Sequence, residues 1–201
     1  MMKDFIRKII GSEKNTVSDD EVIKAALTDY LGHHYTIGEK IGEGGMGVVF
    51  RVRHKKLQQD RAVKVLNNPD VKERFLREAR IASEITSPHI VKVYDFDSLP
   101  KKKGGLPFII MDFIKGTSLK KLIAKEKQLP EASLIRFMKH TADAMILASR
   151  YSIIHRDIKP ANLLIDEFNT LKVTDFGIAR TDRLDDGLTH PGETFGTPHY
   201  M

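Results

Sequence analysis

The sequence predicts an α+β fold, with strands gathered early in the chain and helices late. Three observations carry this. Between residues 35 and 114, short apolar or alternating stretches recur at Tyr35 to Arg53, Arg61 to Leu66, Pro88 to Phe96 and Leu106 to Ile114. The first of these is long enough for two strands and a turn, which makes five strands in all. A single helical pattern, Val71 to Thr86, interrupts them, with Phe75, Leu76, Ala79, Ile81, Ala82 and Ile85 at helical spacing. After residue 115 the longest periodic stretch runs from Pro130 to Arg150, and proline is favoured at a helix start.

With 201 residues, the chain can hold one domain with a real core. Its 41% hydrophobic and 30% charged residues are those of a globular protein. The absence of cysteine excludes disulfides and thiolate zinc sites, and fits a reducing, cytoplasmic compartment. The net charge of +6 suits a protein that handles anions. No basic run is interleaved with aromatics, so nucleic acid is not an expected partner. The longest apolar run, Leu106 to Ile114, carries Asp112 and is too short to span a bilayer. The N-terminus shows no apolar core followed by a small-residue cleavage site.

Residues 1–34 read as an N-terminal helical extension without chemistry of its own. Phe5, Ile6, Ile9 and Ile10 lie on one helical face, with Lys3, Arg7 and Lys8 elsewhere. Such a face can meet a membrane surface or pack on its own domain. Ser18-Asp19-Asp20-Glu21 is the pattern of a capping box, and the helix it opens continues through Val22, Ala25, Ala26, Leu27 and Tyr30 to Gly32.

Next comes Gly42-Glu43-Gly44-Gly45-Met46-Gly47. Glycines at this spacing let backbone amides approach phosphate oxygens with no Cβ in the way. Dinucleotide folds share the pattern, but there a helix follows the glycines. Here β-branched Val48 and Val49 follow, which favours a hairpin. Lys64 interrupts the apolar strand Arg61 to Leu66, and a lone inward ammonium is costly. Glu73, Glu78 and Glu84 on the following helix are possible partners.

The chain's most informative stretch is His155-Arg156-Asp157-Ile158-Lys159-Pro160-Ala161-Asn162, running into apolar Leu163-Leu164-Ile165. A carboxylate able to take a proton from a hydroxyl, a lysine able to neutralise phosphate charge and an amide able to ligate Mg²⁺ fall within six residues. Thirteen residues beyond Asn162 stands a second acid, in Asp175-Phe176-Gly177.

Taken in order, the glycine turn, the Val63-Lys64 strand, Glu78 in Arg77-Glu78-Ala79, the His155-Arg156-Asp157 loop with Lys159 and Asn162, and Asp175-Phe176-Gly177 resemble the eukaryotic-like Ser/Thr protein kinases of bacteria. The resemblance covers Tyr35 to Met201. It implies a bilobal fold: a small lobe over 35–115 with a five-stranded antiparallel sheet and one main helix, then a partial, mostly helical large lobe over 116–201. It implies ATP and Mg²⁺ as cofactors, with Asn162 and Asp175 on the metal. Asp157 becomes the catalytic base and Lys159 its charge partner at the transferring phosphoryl group. It selects Glu78 as the partner of Lys64, which holds the α- and β-phosphates. Ile41, Gly42, Gly44 and Gly47 line the nucleotide, and Val49, Ala62 and Leu164 enclose the base. Met111 backs the adenine, and Asp112-Phe113-Ile114 forms the hinge. Lys159, and Thr197 in Gly196-Thr197-Pro198, point to protein Ser/Thr hydroxyls as substrate. Thr189, then Thr194 and Thr181, are candidates for autophosphorylation through self-association.

The chain ends at Pro198-His199-Tyr200-Met201, just before the motif expected next, so the resemblance implies a fragment with much of the apolar cover of Pro130 to Arg150 and Ile153-Ile154 missing. Such a fragment is expected to be poorly stable and weakly active or inactive. Two alternatives stand beside the kinase: a pseudokinase-like nucleotide-binding or scaffold module, and a small-molecule phosphotransferase of related fold. His155-Arg156-Asp157 and Asp175-Phe176-Gly177 disfavour the last.

Overall fold

In the computed structural model the described residues are 18–45 and 47–176. They form two units: residues 18–80 with 93–113, and residues 81–92 with 114–176. The expected extension Met1 to Ile10, Met46, and everything from Gly177 onward, including Thr181, Thr189, Thr194 and Thr197, lie outside the described residues.

The first unit opens with helix α1, Asp19–Leu31. The capping box forms as read: Glu21 N–H donates to Ser18 Oγ at 3.4 Å, and Ser18 N–H donates to Glu21 Oε2 at 3.1 Å. Strands β1 (Tyr35–Gly44), β2 (Gly47–His54), β3 (Asp60–Leu66), β4 (Val93–Ser98) and β5 (Pro107–Asp112) then build one antiparallel sheet in the order β1-β2-β3-β5-β4. Alternation gives this sheet two different faces. Val48, Phe50, Val52, Val63, Val65, Phe108 and Ile110 point to one of them and form a core with Ile23, Leu27 and Leu31 of α1.

That core changes the meaning of residues 18–34. Periodicity predicts the helix but not its destination. The face of β2, β3 and β5 formed by Val48, Phe50, Val52, Val63, Val65, Phe108 and Ile110 is apolar, and α1 covers it with the i, i+4, i+8 stripe Ile23, Leu27, Leu31. Polar ties fix the helix in place. Tyr30 Oη donates to Asp97 Oδ2 at 2.6 Å, Lys40 pairs with Asp20, and Lys103 pairs with Asp29.

Helix α2, Lys72–Glu84, follows β3. The fourth strand begins later than its apolar run suggests, at Val93 rather than near Pro88. The reason is a competing pairing: Ile90 bridges Val173, Val91 N–H donates to Val173 O at 2.9 Å, and Val173 N–H donates to His89 O at 2.8 Å. The backbone of residues 89–91 is therefore committed to the second unit.

The second unit holds β6 (Gly116–Ser118), α3 (Leu119–Glu126), α4 (Glu131–Arg150), β7 (Leu163–Asp166) and β8 (Leu171–Val173). The three strands form an antiparallel sheet, β6-β7-β8. Its core joins Phe137, Ala144 and Ala148 of α4 to Leu163, Ile165, Leu171 and Val173. On α4, Leu134, Ile135, Met138 and Ile146 remain exposed, so the breadth of its apolar positions exceeds what the described residues bury.

Candidate active site

The polar loop between α4 and β7 folds on itself. Asn162, only 6% exposed, ends a single 3₁₀ turn at Pro160–Asn162. Its Nδ2 donates to Asp157 O at 2.8 Å and to Asp157 Oδ2 at 3.1 Å. Lys159 Nζ reaches the same Oδ2 at 2.8 Å. Asp157 is held from behind as well, its N–H donating to His155 Nδ1 at 3.2 Å. Three of the residues singled out from the sequence, Asp157, Lys159 and Asn162, are thus joined through one carboxylate.

His155 ties this loop to the strand that leads to Asp175. Its Nε2 donates to Thr174 O at 2.9 Å, and its ring packs against Phe176 with centroids 4.7 Å apart. Both ring nitrogens are therefore occupied in the neutral form, one as donor and one as acceptor. Burial pushes its pKa below the ordinary 6.5, against a smaller opposing pull from the Thr174 carbonyl. Thr174 N–H closes the second link by donating to Asn162 O at 3.0 Å. Arg156 and Asp175 sit at φ 61° and 60°, a region most non-glycine residues avoid at a cost of order 1–3 kcal/mol. Such residues collect where a site imposes geometry, and here they flank the His155 links.

The donors suit a hard cation. Asn162 spends its amide nitrogen on Asp157, and its Oδ1 is a carbonyl oxygen of the kind such a cation takes. Asp175 supplies a carboxylate from the neighbouring turn. No three His, Cys, Asp or Glu side chains converge among the described residues. Mg²⁺ needs no such cluster, since one or two carboxylates, water and substrate phosphates satisfy it.

The first unit gathers a second set of predicted residues. Val49, Lys64 and Ile109 are register partners across β2, β3 and β5, as are Ala62 and Met111. Val49, Ala62, Lys64 and Met111 thus share one sheet face, opposite the face covered by α1. The glycine turn is a hairpin, as β-branched Val48 and Val49 suggest, with Gly44 paired to Gly47. Its glycines differ in reason. A Cβ on Gly47 would lie 2.0 Å from Val65 O, so the sheet itself demands glycine there. Around Gly44 and Gly45 a Cβ would meet nothing within 4 Å, which leaves open space above their amides. Asp112 accepts from Tyr94 Oη at 2.8 Å. Ile114 and Leu164 belong to the second unit, where Leu164 pairs with Ser118 and Lys172.

One expected contact is replaced. Glu78 Oε1 accepts from Arg74 Nε at 3.0 Å, one helical turn earlier, and Arg74 rather than Lys64 is its ion-pair partner among the described residues. Arg74 lies at i−4 on the same helix and reaches Glu78 without any movement of helix against sheet. Sequence reasoning also passed over His155 and the backbone of Thr174 as the links between the two polar segments. The signal available was a histidine directly after apolar Ile153-Ile154, a position where burial makes an imidazole a hydrogen-bond bridge.

Within the first unit a face bears Lys64 beneath a glycine hairpin, and within the second a loop ties an acid, a lysine and an amide together ahead of a second acid; each set of groups is of the kind that handles phosphate. Comparison with known families makes this specific: residues 35–201 match the protein kinase domain, and the chain belongs to that family. It is 35% identical over 177 residues to the serine/threonine-protein kinase PknB of Mycobacterium leprae, covering 86% of this chain and 28% of that protein. It is 35% identical over 193 residues to the serine/threonine-protein kinase drp72 of Corynebacterium efficiens, covering 93% of this chain and 36% of the relative. A probable serine/threonine-protein kinase of Clostridium perfringens is 35% identical over 85% of this chain and 25% of its own length. The chain therefore spans about a quarter to a third of these relatives. Helix α1 precedes the matched segment. No helix among the described residues is long and apolar enough to cross a membrane. The family uses ATP and Mg²⁺ in general, and acts on proteins.

Proposed function

We propose that the protein carrying this chain is a protein serine/threonine kinase that transfers the γ-phosphoryl group of ATP to Ser or Thr hydroxyls. The observation that carries this reading is the convergence of Lys159 and Asn162 on Asp157 Oδ2, at 2.8 and 3.1 Å. In this reading Asp157 orients the substrate hydroxyl and takes its proton as the oxygen bonds to the γ-phosphorus. The bond from that phosphorus to the β–γ bridging oxygen breaks, and ADP leaves with the electron pair. Lys159 follows the charge that develops on the transferring group. Asn162 Oδ1 and Asp175 would hold Mg²⁺, which would supply neutralisation of phosphate charge when bound. Lys64 receives the α- and β-phosphates, the amides of the glycine turn cover them, and the backbone of Asp112 to Ile114 reads the adenine edge. Self-association would allow autophosphorylation after Asp175. The place of action that fits this chemistry is the cytoplasm.

A second reading rests on one observation, the Arg74–Glu78 pair. With Glu78 engaged there, the chain could bind nucleotide without turning it over. The experiment that separates the two is Mg²⁺-dependent phosphotransfer from γ-labelled ATP to a generic Ser/Thr protein substrate, with Asp157→Asn as control. Transfer abolished by Asp157→Asn supports the kinase. Nucleotide binding without transfer, unchanged by that substitution, supports the binding module.

A further inference from the structure

Strand β8 is held near its start by two histidines from different elements. His89, from the segment before β4, places Nδ1 at 3.1 Å from Leu171 O. His140, from α4, places Nδ1 at 3.2 Å from Leu171 N. A carbonyl oxygen only accepts and an amide N–H only donates. His89 is therefore protonated on Nδ1, and His140 is bare on Nδ1 with its proton on Nε2. The rings lie face to face, 4.0 Å between centroids and 19° between planes. Leu171 itself is fully buried, so water is not at hand to replace either bond. Three residues later, Thr174 takes the His155 and Asn162 bonds, and Asp175 follows.

The geometry points to His89 and His140 as a clamp that positions β8, and with it Thr174 and Asp175, and that opens when His140 gains a proton. A protonated His140 has no lone pair for the Leu171 N–H. It also places a cation against a ring stacked at 4.0 Å. The surroundings resist that cation. Burial acts first, then His89 from the facing segment and Arg136 and Lys139 on α4 itself, with Asp143 alone opposing, so His140 lies below the ordinary 6.5. Strand β8 contributes the Leu171 peptide; its charged residue, Lys172, alternates to the other face. The folded state thus binds fewer protons than the unfolded chain in mild acid. The clamp's contribution is complete above 6.5 and is lost as pH falls through the lower folded value.

The clamp follows from the two Leu171 bonds and the stacked rings; only its consequence for phosphotransfer rests on the role proposed for Asp175. The test is nitrogen-15 NMR of the 201-residue chain through a pH series, reading the histidine ring nitrogens together with the Leu171 and Thr174 amides. The expected result is an Nε2-protonated His140 at neutral pH. The Leu171 protection factor, taken relative to intrinsic exchange at each pH, should then fall by up to about tenfold per pH unit below 6.5, with Thr174 shifting at the same midpoint. His140→Asn, whose Oδ1 takes the place of Nδ1, should keep Leu171 protected and abolish the Thr174 step at that midpoint. His140→Ala should lose protection at every pH; should that variant fail to fold, His140→Asn and the wild-type ring tautomer still decide. A His140 protonated on Nδ1 at neutral pH, Leu171 protection indifferent to His140 titration, or a Thr174 step that persists in His140→Asn would overturn the proposal. In phosphotransfer, His140→Asn should move the acid limb of the pH profile to lower pH. An unmoved limb alongside an intact NMR signature would count against the role of Asp175 and leave the clamp standing.

Discussion

The polar loop of the second unit and the glycine turn of the first are built by opposite means. In the loop, Asp157, Lys159 and Asn162 are bound to one another and to the backbone of Thr174 through His155, so the functional atoms are fixed by their own hydrogen bonds. In the turn, a Cβ on Gly44 or Gly45 would meet nothing within 4 Å, and precision comes from the sheet below, where a Cβ on Gly47 would press against Val65 O. The first arrangement is held in place by its own bonds, as the proton and charge transfer proposed for it requires. The second leaves room for phosphates and relies on the α1-covered core for its foundation. The difference teaches that the chemical groups and the nucleotide grip have different weak points, which substitutions can expose separately.

The largest expected effect breaks the knot. Asp157→Asn should lower phosphotransfer by about 10²–10⁴-fold while nucleotide affinity stays within about twofold, measured by labelled transfer and by calorimetry. A variant that keeps its transfer rate would remove Asp157 from the chemistry. The first unit should respond instead through its foundation. Leu27, fully buried under the sheet, should cost about 2–5 kcal/mol when changed to Ala, measured by urea unfolding. A loss under about 0.5 kcal/mol would mean that α1 is an appendage after all. Within the turn the two kinds of glycine should part company. Gly47→Ala should destabilise by about 1–3 kcal/mol, whereas Gly44→Ala should leave the urea midpoint unchanged and weaken nucleotide binding. Equal effects on folding would erase the distinction drawn from their surroundings. The smallest effect concerns Arg74. Its pair with Glu78 is partly exposed, and removing it as Arg74→Ala should cost no more than about 0.5 kcal/mol. Nucleotide affinity should rise if Glu78 then turns to Lys64, and an unchanged affinity would show that the pair does not compete.

Much of the site was legible because its residues are close in sequence. The order of Asp157, Lys159 and Asn162 within six residues, and the glycine run followed by β-branched residues, carry their own geometry. The partner of Glu78 was not legible. Glu73, Glu78 and Glu84 offered comparable charges, and Arg74 lay nearer to Glu78 than any residue of a separate strand. The packing of α1 was also hidden, because an amphipathic stripe states that a helix needs an apolar surface and not which one. The late start of β4 came from Val173 claiming the backbone of residues 89–91, a pairing across more than eighty positions.

By itself, the sequence determined the two kinds of secondary structure, their order, the capping of α1 and the chemical identity of the groups around Asp157, since all of these follow from side-chain type and short-range spacing. Tertiary structure decided which face α1 covers, which base Glu78 holds, and how His89, His140 and His155 fasten β8 ahead of Asp175. Those outcomes depend on desolvating hydrogen-bonding groups brought together from distant parts of the chain, and a buried donor settles on whichever acceptor the packing leaves beside it.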